Sequence, residues 1–310
     1  MKQRILVLGA NGYVGQRVMK ALGASGWADP VAGVRRPGRH AQEIVLDAAE
    51  TGPVASALAA VDGVVNCVAG APQTMVASAR ALAAALDARP LPLVHFSSMA
   101  VYGPAVGDVD ETTPPAQGLT GYAGAKVETE TLLAARRNVT TLRPGCIYGP
   151  LSPQWSLRIA SLLRARRIGD LGAAGDGCSN LVYIDDVVSA VLASLQSSDQ
   201  ARVYNLAMAQ APDWNDYFLA YAKALGAVPI RRIGERRLKL ETHVLAPALK
   251  IGELTLGRAG LNLPPPIPPS LARLWRQPIR LVSHRAEQQL GMRWTSLQQG
   301  LAATVAAARP

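Results

Sequence analysis

The chain has 310 residues, 49% of them hydrophobic and 17% charged, which suits a soluble α/β protein of one large or two interleaved domains. Its net charge of +10 comes from mostly dispersed basic residues, without a basic helix, interleaved aromatic residues or zinc-finger spacing, so an anionic small molecule is a better expected partner than nucleic acid. No apolar run is long enough to cross a membrane, and three cysteines without metal-ligand spacing indicate a reducing, cytoplasmic location and no metal site.

Short apolar runs alternate with helical stretches along the first half of the chain. Strands are predicted at 4–10, 30–36, 63–69 and 92–98, and helices at 15–25, 56–62 and 75–89. The predicted strands are continuous apolar runs, which is typical of a parallel sheet covered by helices on both faces. This part of the sequence therefore predicts the doubly wound α/β architecture of a Rossmann domain.

The alternation becomes irregular beyond residue 150. Residues 139–150 are predicted to form a strand that ends in a Pro/Gly loop, and 180–195 a strand leading into a helix. Residues 261–269 ("LNLPPPIPP") cannot form regular structure and are expected to wrap a surface or a cleft edge. We expect a dinucleotide-binding domain over residues 1–150, to which 181–206 return, and a smaller substrate-binding region over residues 151–310.

Three glycines follow the first predicted strand at a spacing of three residues. Gly9, Gly12 and Gly15 form a G-x-x-G-x-x-G turn between a strand and a helix. Gly9 permits a tight turn, Gly12 lets a pyrophosphate approach the backbone, and Gly15 lets the helix lie close to the strand, while the helix N-terminus faces the anion. In this position the pattern predicts a dinucleotide site rather than an ordinary structural turn.

A basic pair follows the second predicted strand. Arg35 and Arg36 stand where an NAD-specific site needs an Asp or Glu to accept hydrogen bonds from the ribose 2′-hydroxyl. Guanidinium groups there suit a 2′-phosphate, to which they can make charge-assisted and bidentate hydrogen bonds. The alternative interpretation is that the two arginines only begin an exposed loop. The sequence thus favours NADP(H), with NAD(H) as the other candidate cofactor.

Later motifs resemble those of one enzyme family. "GYAGAK" contains a Y-x-x-x-K pair, Tyr122 and Lys126, and it lies between "FSSMAVYG" and "LRPGCIYGP". Together with the glycine turn, these motifs resemble the extended short-chain dehydrogenases/reductases of the NAD-dependent epimerase/dehydratase family. The resemblance runs from the N-terminus to about residue 205, and a weaker similarity recurs at 283–301.

The resemblance implies further cofactor-binding residues. Asp47 matches the acidic residue that contacts the adenine after the third strand, and Pro144 lies where the family's backbone meets the nicotinamide. Residues 66–70 match the small-residue segment that lines the ribose and pyrophosphate, although the family usually has Ala where this chain has Cys67 and Val68. The contacts implied within this segment are those of Cys67, Val68 and Ala69.

Tyr122 and Lys126 carry the predicted chemistry, because residues four apart on a helix share one face. A neighbouring ammonium favours the phenolate of a tyrosine, whose ordinary pKa is about 10, so the tyrosine can pass a proton to or from a carbonyl or hydroxyl oxygen during hydride transfer. The lysine can also bind the nicotinamide ribose. The resemblance selects Ser98 rather than Ser97 as the residue that hydrogen-bonds the reacting oxygen, and His95 is expected to pack within its strand.

The two residues after Ser98 help to distinguish between the reactions of the family. The family's sugar-nucleotide dehydratases carry an acid and a base there, whereas Met99 and Ala100 cannot move a proton, so dehydration is disfavoured. An epimerase retains its cofactor, mostly NAD, whereas a reductase exchanges NADPH at each turnover. Arg35 and Arg36 therefore favour an NADP(H)-dependent oxidoreductase that acts on a carbonyl or a secondary alcohol. The alternatives are a nucleotide-sugar epimerase with retained NAD(P) and, third, a non-catalytic NADP-binding sensor.

The substrate is left open between two classes of small molecule. The C-terminal region would close over the nicotinamide as in the family, and it is both basic and apolar. Its leucines and prolines suit an apolar keto compound, whereas its arginines suit a nucleotide sugar. The arginines meant are Arg231, Arg232, Arg236 and Arg237. We further allow for a homodimer.

Overall fold

The computed structural model describes residues 1–197, 203–247, 249 and 265–307. The strands in this part of the chain are β1 Gln3–Leu8, β2 Ala28–Val34, β3 Glu43–Val45, β4 Gly63–Asn66, β5 Leu93–Phe96, β6 Gly107–Val109, β7 Val139–Pro144, β8 Cys146–Tyr148, β9 Leu181–Tyr183, β10 Val203–Leu206 and β11 Ile279–Leu281. Seven of them form one parallel sheet in the order β10-β7-β5-β4-β1-β2-β3. This sheet confirms the predicted doubly wound α/β class.

Helices cover both faces of this sheet. In the described residues they are α1 Tyr13–Ala24, α2 Thr51–Leu58, α3 Pro72–Ala88, α4 Gly121–Leu133, α5 Arg158–Arg164, α6 Ile184–Gln196, α7 Trp214–Leu225, α8 Glu235–Leu240, α9 Pro269–Leu274, α10 His284–Gln289 and α11 Leu297–Ala306. Helices α1 and α6 pack on one face, and α2, α3 and α4 pack on the other. None of the helices in the described part of the chain is both long and apolar enough to cross a membrane.

The interior strand β1 shows why a predicted strand can be a continuous apolar run. Ile5 and Val7 belong to the hydrophobic cluster on the α1 face, whereas Leu6 and Leu8 belong to the cluster on the α3 face. Successive side chains of a strand point to opposite faces, so a strand with an apolar residue at every position can be buried on both sides. Each of these four residues is at most 1% exposed.

Two predicted elements differ from the observed ones. The helix predicted at 56–62 is Thr51–Leu58, because Gly52 and Pro53 occupy its first turn, where the missing proline N–H leaves no hydrogen bond unmade. The strand predicted within 139–150 divides at Gly145 into β7 and β8, and β8 leaves the main sheet to pair with β9. A Cβ at Gly145 would collide with the Asn180 carbonyl oxygen, so the division requires glycine.

The proline-rich segment predicted to be irregular lies partly outside the described residues. Residues 261–264 fall there, and Pro265 to Pro268 form no regular structure. Pro269 instead begins α9. The backbone carbonyls of Pro265 and Pro266 accept hydrogen bonds from Arg167 and Arg158, so two arginines hold this stretch against the protein.

Candidate functional site

The turn that joins β1 to α1 has glycine at the positions where a side chain would collide with the backbone. Gly9 has φ +75°, and a Cβ there would lie 2.8 Å from the carbonyl oxygen of Cys67. A Cβ at Gly15 would collide with the Gly9 carbonyl, so α1 can approach β1 only without a side chain. Gly12 donates its N–H to the Gly9 carbonyl at 2.9 Å and begins α1 without any side-chain cap. The first helical turn therefore has backbone amides without a side-chain cap, and such amides favour an anion at a helix N-terminus.

The residues expected around the adenosine half of a dinucleotide lie at the ends of β2 and β3. Arg35 and Arg36 follow β2 directly, are exposed and make no ion pair among the described residues. The Leu46 N–H donates to the Val34 carbonyl at 2.9 Å, which brings Asp47 beside the start of the arginine loop. Asp47 is exposed, and its carboxylate accepts the Ala49 N–H at 2.9 Å.

The segment after β4 runs alongside the glycine turn. Cys67 donates its N–H to the Leu8 carbonyl at 2.9 Å, and the Val68 N–H donates to Oδ1 of Asn66 at 3.1 Å. Burial raises the pKa of the Cys67 thiol to about 12, so the thiol stays protonated and acts as a small apolar lining. Ala69, which follows, is exposed.

Tyr122, Lys126 and Ser98 come together between α4 and the end of β5. The Lys126 Nζ lies 5.8 Å from the centre of the Tyr122 ring and donates to the Phe96 carbonyl at 2.6 Å. Partial burial raises the pKa of Tyr122, and a hydrogen bond with the Ser98 side chain acts in the opposite direction. Tyr122 nevertheless keeps 48% of its surface exposed, so a ligand can reach it.

A buried chain of hydrogen bonds, which sequence reasoning missed, supports Lys126. The Thr129 hydroxyl donates to the Lys126 carbonyl at 2.9 Å and lies 3.1 Å from Nε2 of His95. The Nδ1 of His95 lies 3.2 Å from the Asn66 side-chain amide. Burial and the nearby Lys126 charge lower the His95 pKa to about 3, so the ring is neutral and one tautomer, with Nε2 protonated, satisfies both contacts. His95 is therefore more than a packing residue.

A second buried network anchors the other end of α4. The Arg143 guanidinium makes two hydrogen bonds to the Glu130 carboxylate, at 2.9 and 2.6 Å, and donates to the Tyr102 hydroxyl at 2.9 Å. That hydroxyl donates in turn to Oδ1 of Asn205 on β10 at 2.7 Å. Because Pro144 follows Arg143 at the end of β7, this network fixes the strand end expected at the nicotinamide.

The fold places the predicted site residues at one edge of the sheet. The glycine turn, the arginine pair, the segment 67–69, Ser98 and Pro144 all lie at the carboxyl ends of parallel strands, where open α/β sheets bind ligands. The four C-terminal arginines are exposed, and among the described residues none of them hydrogen-bonds to Tyr122, Lys126 or Ser98. Arg232 instead pairs with Asp170 at 2.5 Å.

Solved structures of sugar-nucleotide epimerases share this fold. UDP-glucose 4-epimerase from Thermotoga maritima, solved with UDP-glucose, is 19% identical, with 98% of both chains covered and a TM-score of 0.73. UDP-N-acetylglucosamine 4-epimerase from Bacillus cereus is 15% identical, with 100% of both chains covered and a TM-score of 0.73. UDP-glucuronic acid 4-epimerase from Bacillus cereus, in complex with UDP-glucuronic acid and NAD, is 19% identical, with 98% of both chains covered and a TM-score of 0.72.

The sequence itself identifies the family. Comparison with curated proteins gives no match. The model of the NAD dependent epimerase/dehydratase family, however, matches residues 5–207, which is more than half of the chain and includes every predicted site residue at the strand ends. The chain therefore belongs to the NAD-dependent epimerase/dehydratase family and is an NAD(P)-dependent enzyme of the extended short-chain dehydrogenase/reductase type.

Proposed function

We propose that the chain is an NAD(P)-dependent epimerase of a nucleotide-linked sugar, in which Tyr122 removes and returns the proton of a secondary hydroxyl. The observation that carries this proposal is the buried Lys126 ammonium beside the Tyr122 phenol, with Ser98 hydrogen-bonded to that phenol. The three residues supply a proton acceptor, a charge that favours its anion and a hydrogen bond for the reacting oxygen. Interconversion of a secondary alcohol and a ketone needs these groups.

The residues at the strand ends fit a dinucleotide. A Cβ at Gly9 or Gly15 would fill the turn, and the uncapped amides of α1 suit a pyrophosphate. We assign Asp47 and the segment 67–69 to the adenosine and ribose, and Pro144 and Lys126 to the nicotinamide end. When bound there, NAD(P) would supply the hydride acceptor and donor for the carbon that carries the hydroxyl.

Tyr122 would transfer the proton of the hydroxyl group, and Ser98 would hydrogen-bond the reacting oxygen. As a phenolate, Tyr122 would take the hydroxyl proton, so that the oxygen forms the carbonyl of a ketone as hydride leaves its carbon for the bound dinucleotide. It then returns the same proton to the oxygen when hydride is delivered to the opposite face, which gives the epimer. Ser98 holds the reacting oxygen through both steps. Lys126, whose pKa burial lowers to about 8, is still largely protonated at neutral pH and favours the phenolate.

The fold comparisons support an epimerase over the reductase that the sequence analysis placed first. The solved structures described above are named as 4-epimerases of UDP-sugars, and their alignments with this chain cover almost all of it. Epimerisation combines the proton chemistry of Tyr122 with transfer of hydride to the bound cofactor and back, so it causes no net oxidation or reduction. The absence of an acid and a base at Met99 and Ala100 continues to argue against a dehydratase.

A second candidate is an NADPH-dependent reductase of a keto compound, and the observation that favours it is the arginine pair. Arg35 and Arg36 are exposed at the end of β2, on the side where a ribose 2′-group would lie, and no carboxylate pairs with them among the described residues. We propose on this basis that the enzyme prefers NADP(H), whichever reaction it catalyses. NAD is the cofactor in the complex with UDP-glucuronic acid named above, so the proposed preference would distinguish this chain from that enzyme.

The test uses nucleotide sugars in parallel with ketones. Purified enzyme is incubated with UDP-glucose, UDP-N-acetylglucosamine or UDP-glucuronic acid, and the epimer is quantified by NMR, while ketones are screened for NADPH oxidation. Formation of an epimer that Tyr122→Phe abolishes supports the proposal. Stoichiometric NADPH oxidation without any epimer would replace it with the reductase, and cofactor binding without either reaction would indicate a sensor.

A further inference from the structure

The loop between β2 and β3 is organised around one carboxylate. Glu43, the first residue of β3, accepts backbone N–H groups from three consecutive residues of the loop. The donors are Gly38 at 2.7 Å, Arg39 at 2.9 Å and His40 at 2.8 Å. These bonds hold the Glu43 pKa below its usual range, so the carboxylate is ionised near neutral pH.

This loop is the one that carries the arginine pair. Arg35, Arg36 and Arg39 are all exposed within five consecutive positions, and their like charges favour an open, extended loop. Gly38 has φ +112°, a conformation that a side chain would oppose, and it brings the three amides round one carboxylate. Glu43 thus opposes the repulsion by binding the backbone and leaves the guanidinium groups free.

The same loop is fixed to the glycine turn. The Nε2 of His40 lies 2.9 Å from Oδ1 of Asn11, which is one residue before Gly12. The loop is therefore held at two points, by Glu43 on the β3 side and by Asn11 on the phosphate-binding side. Among the described residues, Glu43 makes no ion pair with an arginine, so its contribution is to the position of the backbone.

We propose that Glu43 is a positioning residue for cofactor specificity: it holds the loop 35–40 in the conformation from which Arg35 and Arg36 bind the 2′-phosphate of NADP(H). This inference rests on the proposed preference for NADP(H). Simple electrostatics predicts the opposite effect of Glu43, because a carboxylate near a phosphate repels it and its removal would tighten binding. The two explanations therefore differ in the sign of one measured change.

The experiment compares Glu43→Gln with wild type and with Gln42→Ala as the matched control. Gln42 is the neighbouring residue and makes two hydrogen bonds to Asp29, at 2.7 and 2.9 Å, but none to the three amides. Dissociation constants of NADPH and NADH are measured by fluorescence titration. In Glu43→Gln we expect the NADPH constant to rise about tenfold and the NADH constant by less than about twofold, with the ratio unchanged in Gln42→Ala.

Glu43→Asp separates geometry from charge, since it keeps the carboxylate but shortens its reach, and it should lose part of the NADPH preference. Thermal unfolding shows whether each variant is folded. If Glu43→Gln does not fold, the comparison uses Glu43→Asp instead. Tighter or unchanged NADPH binding, or an equal weakening of both cofactors, would overturn the role of Glu43. Equal affinity of the wild type for both cofactors would instead refute the proposed NADP(H) preference itself.

Discussion

The side chain of Lys126 donates from Nζ to the backbone carbonyl of Phe96 over 2.6 Å and thereby joins the helix that carries Tyr122 to the end of β5. Lys126 is only 3% exposed, and burial lowers its pKa to about 8. The ammonium that lies 5.8 Å from the centre of the Tyr122 ring is therefore held in place by the protein itself. With a pKa of about 8, the Lys126 ammonium also loses its proton close to neutral pH, so its titration can be followed in the pH dependence of activity.

The pH dependence of kcat/KM should report this titration. As the pH rises through about 8, Lys126 loses its proton and no longer favours the phenolate, so activity should fall. Ionisation of Tyr122 itself would give a rise, which has the opposite sign. Lys126→Arg keeps its charge throughout, so its residual activity should lack the fall. The same fall in the arginine variant would assign the titration to another group.

Tyr122→Phe removes only the transferable proton. We expect kcat to fall by about 10²–10⁴-fold, while the dissociation constant of the dinucleotide stays within about twofold. Tyr102→Phe is the matched control, because the Tyr102 hydroxyl lies in the buried network with Arg143 and Asn205. That variant should lose about 1–3 kcal/mol of unfolding free energy, and its kcat should fall much less than that of Tyr122→Phe. Near-normal turnover in Tyr122→Phe would show that another group moves the proton.

The arginine pair should set the cofactor preference. Wild-type enzyme should bind NADPH at least about tenfold more tightly than NADH, a difference of about 1.4 kcal/mol. The double variant Arg35→Ala/Arg36→Ala should lose most of this preference for NADPH, because the charge-assisted hydrogen bonds to the 2′-phosphate are lost. Titration of both cofactors checks this, with Arg80→Ala, an exposed arginine on α3, as the control. A preference that survives the double replacement would mean that other residues hold the phosphate.

The buried pair of Arg143 and Glu130 should matter for stability more than any surface pair. Arg143→Met leaves the Glu130 carboxylate buried and unpaired, so the free energy of unfolding should fall by about 3–5 kcal/mol. Adding Glu130→Leu should restore much of the loss, because two apolar side chains need no partner. Arg80→Ala breaks an exposed pair with Glu128 at 3.5 Å and should cost less than about 1 kcal/mol. Urea unfolding measures all three, and equal losses would mean that the buried network adds no stability.

The parts of the molecule that follow from local pattern could be predicted from the sequence. The apolar run of β1 predicts the parallel sheet, because a strand with an apolar residue at every position can be buried on both faces. The spacing of Gly9, Gly12 and Gly15 likewise indicates a turn. In this turn a few nearby backbone atoms leave no room for a side chain at Gly9 or Gly15. The apolar pattern of β1 repeats regularly. The backbone atoms that a Cβ at Gly15 would meet belong to Gly9 and Ala10, which are close in sequence.

The supporting networks could not be predicted, because they depend on the register between elements far apart in the chain. Asn66 meets His95 only because β4 pairs with β5 so that these two residues are opposite each other. Glu130 reaches Arg143 only once α4 has packed beside β7. Neither pair has a characteristic spacing. Glu43 is different, since its three donors lie three to five residues away, and a glycine followed closely by Glu in a basic loop could have indicated it.

A nucleotide sugar deuterated at the carbon that inverts distinguishes a redox-neutral epimerisation by Tyr122 from a net oxidation. Purified enzyme is incubated with UDP-[4-²H]glucose and NADP⁺ or NAD⁺, and the products are followed by NMR together with the absorbance of reduced nicotinamide. We expect the C4 epimer with its deuterium retained, no accumulation of reduced cofactor, and no reaction in Tyr122→Phe. Accumulation of reduced cofactor in step with a stable ketone, without any epimer, would contradict the proposed epimerisation.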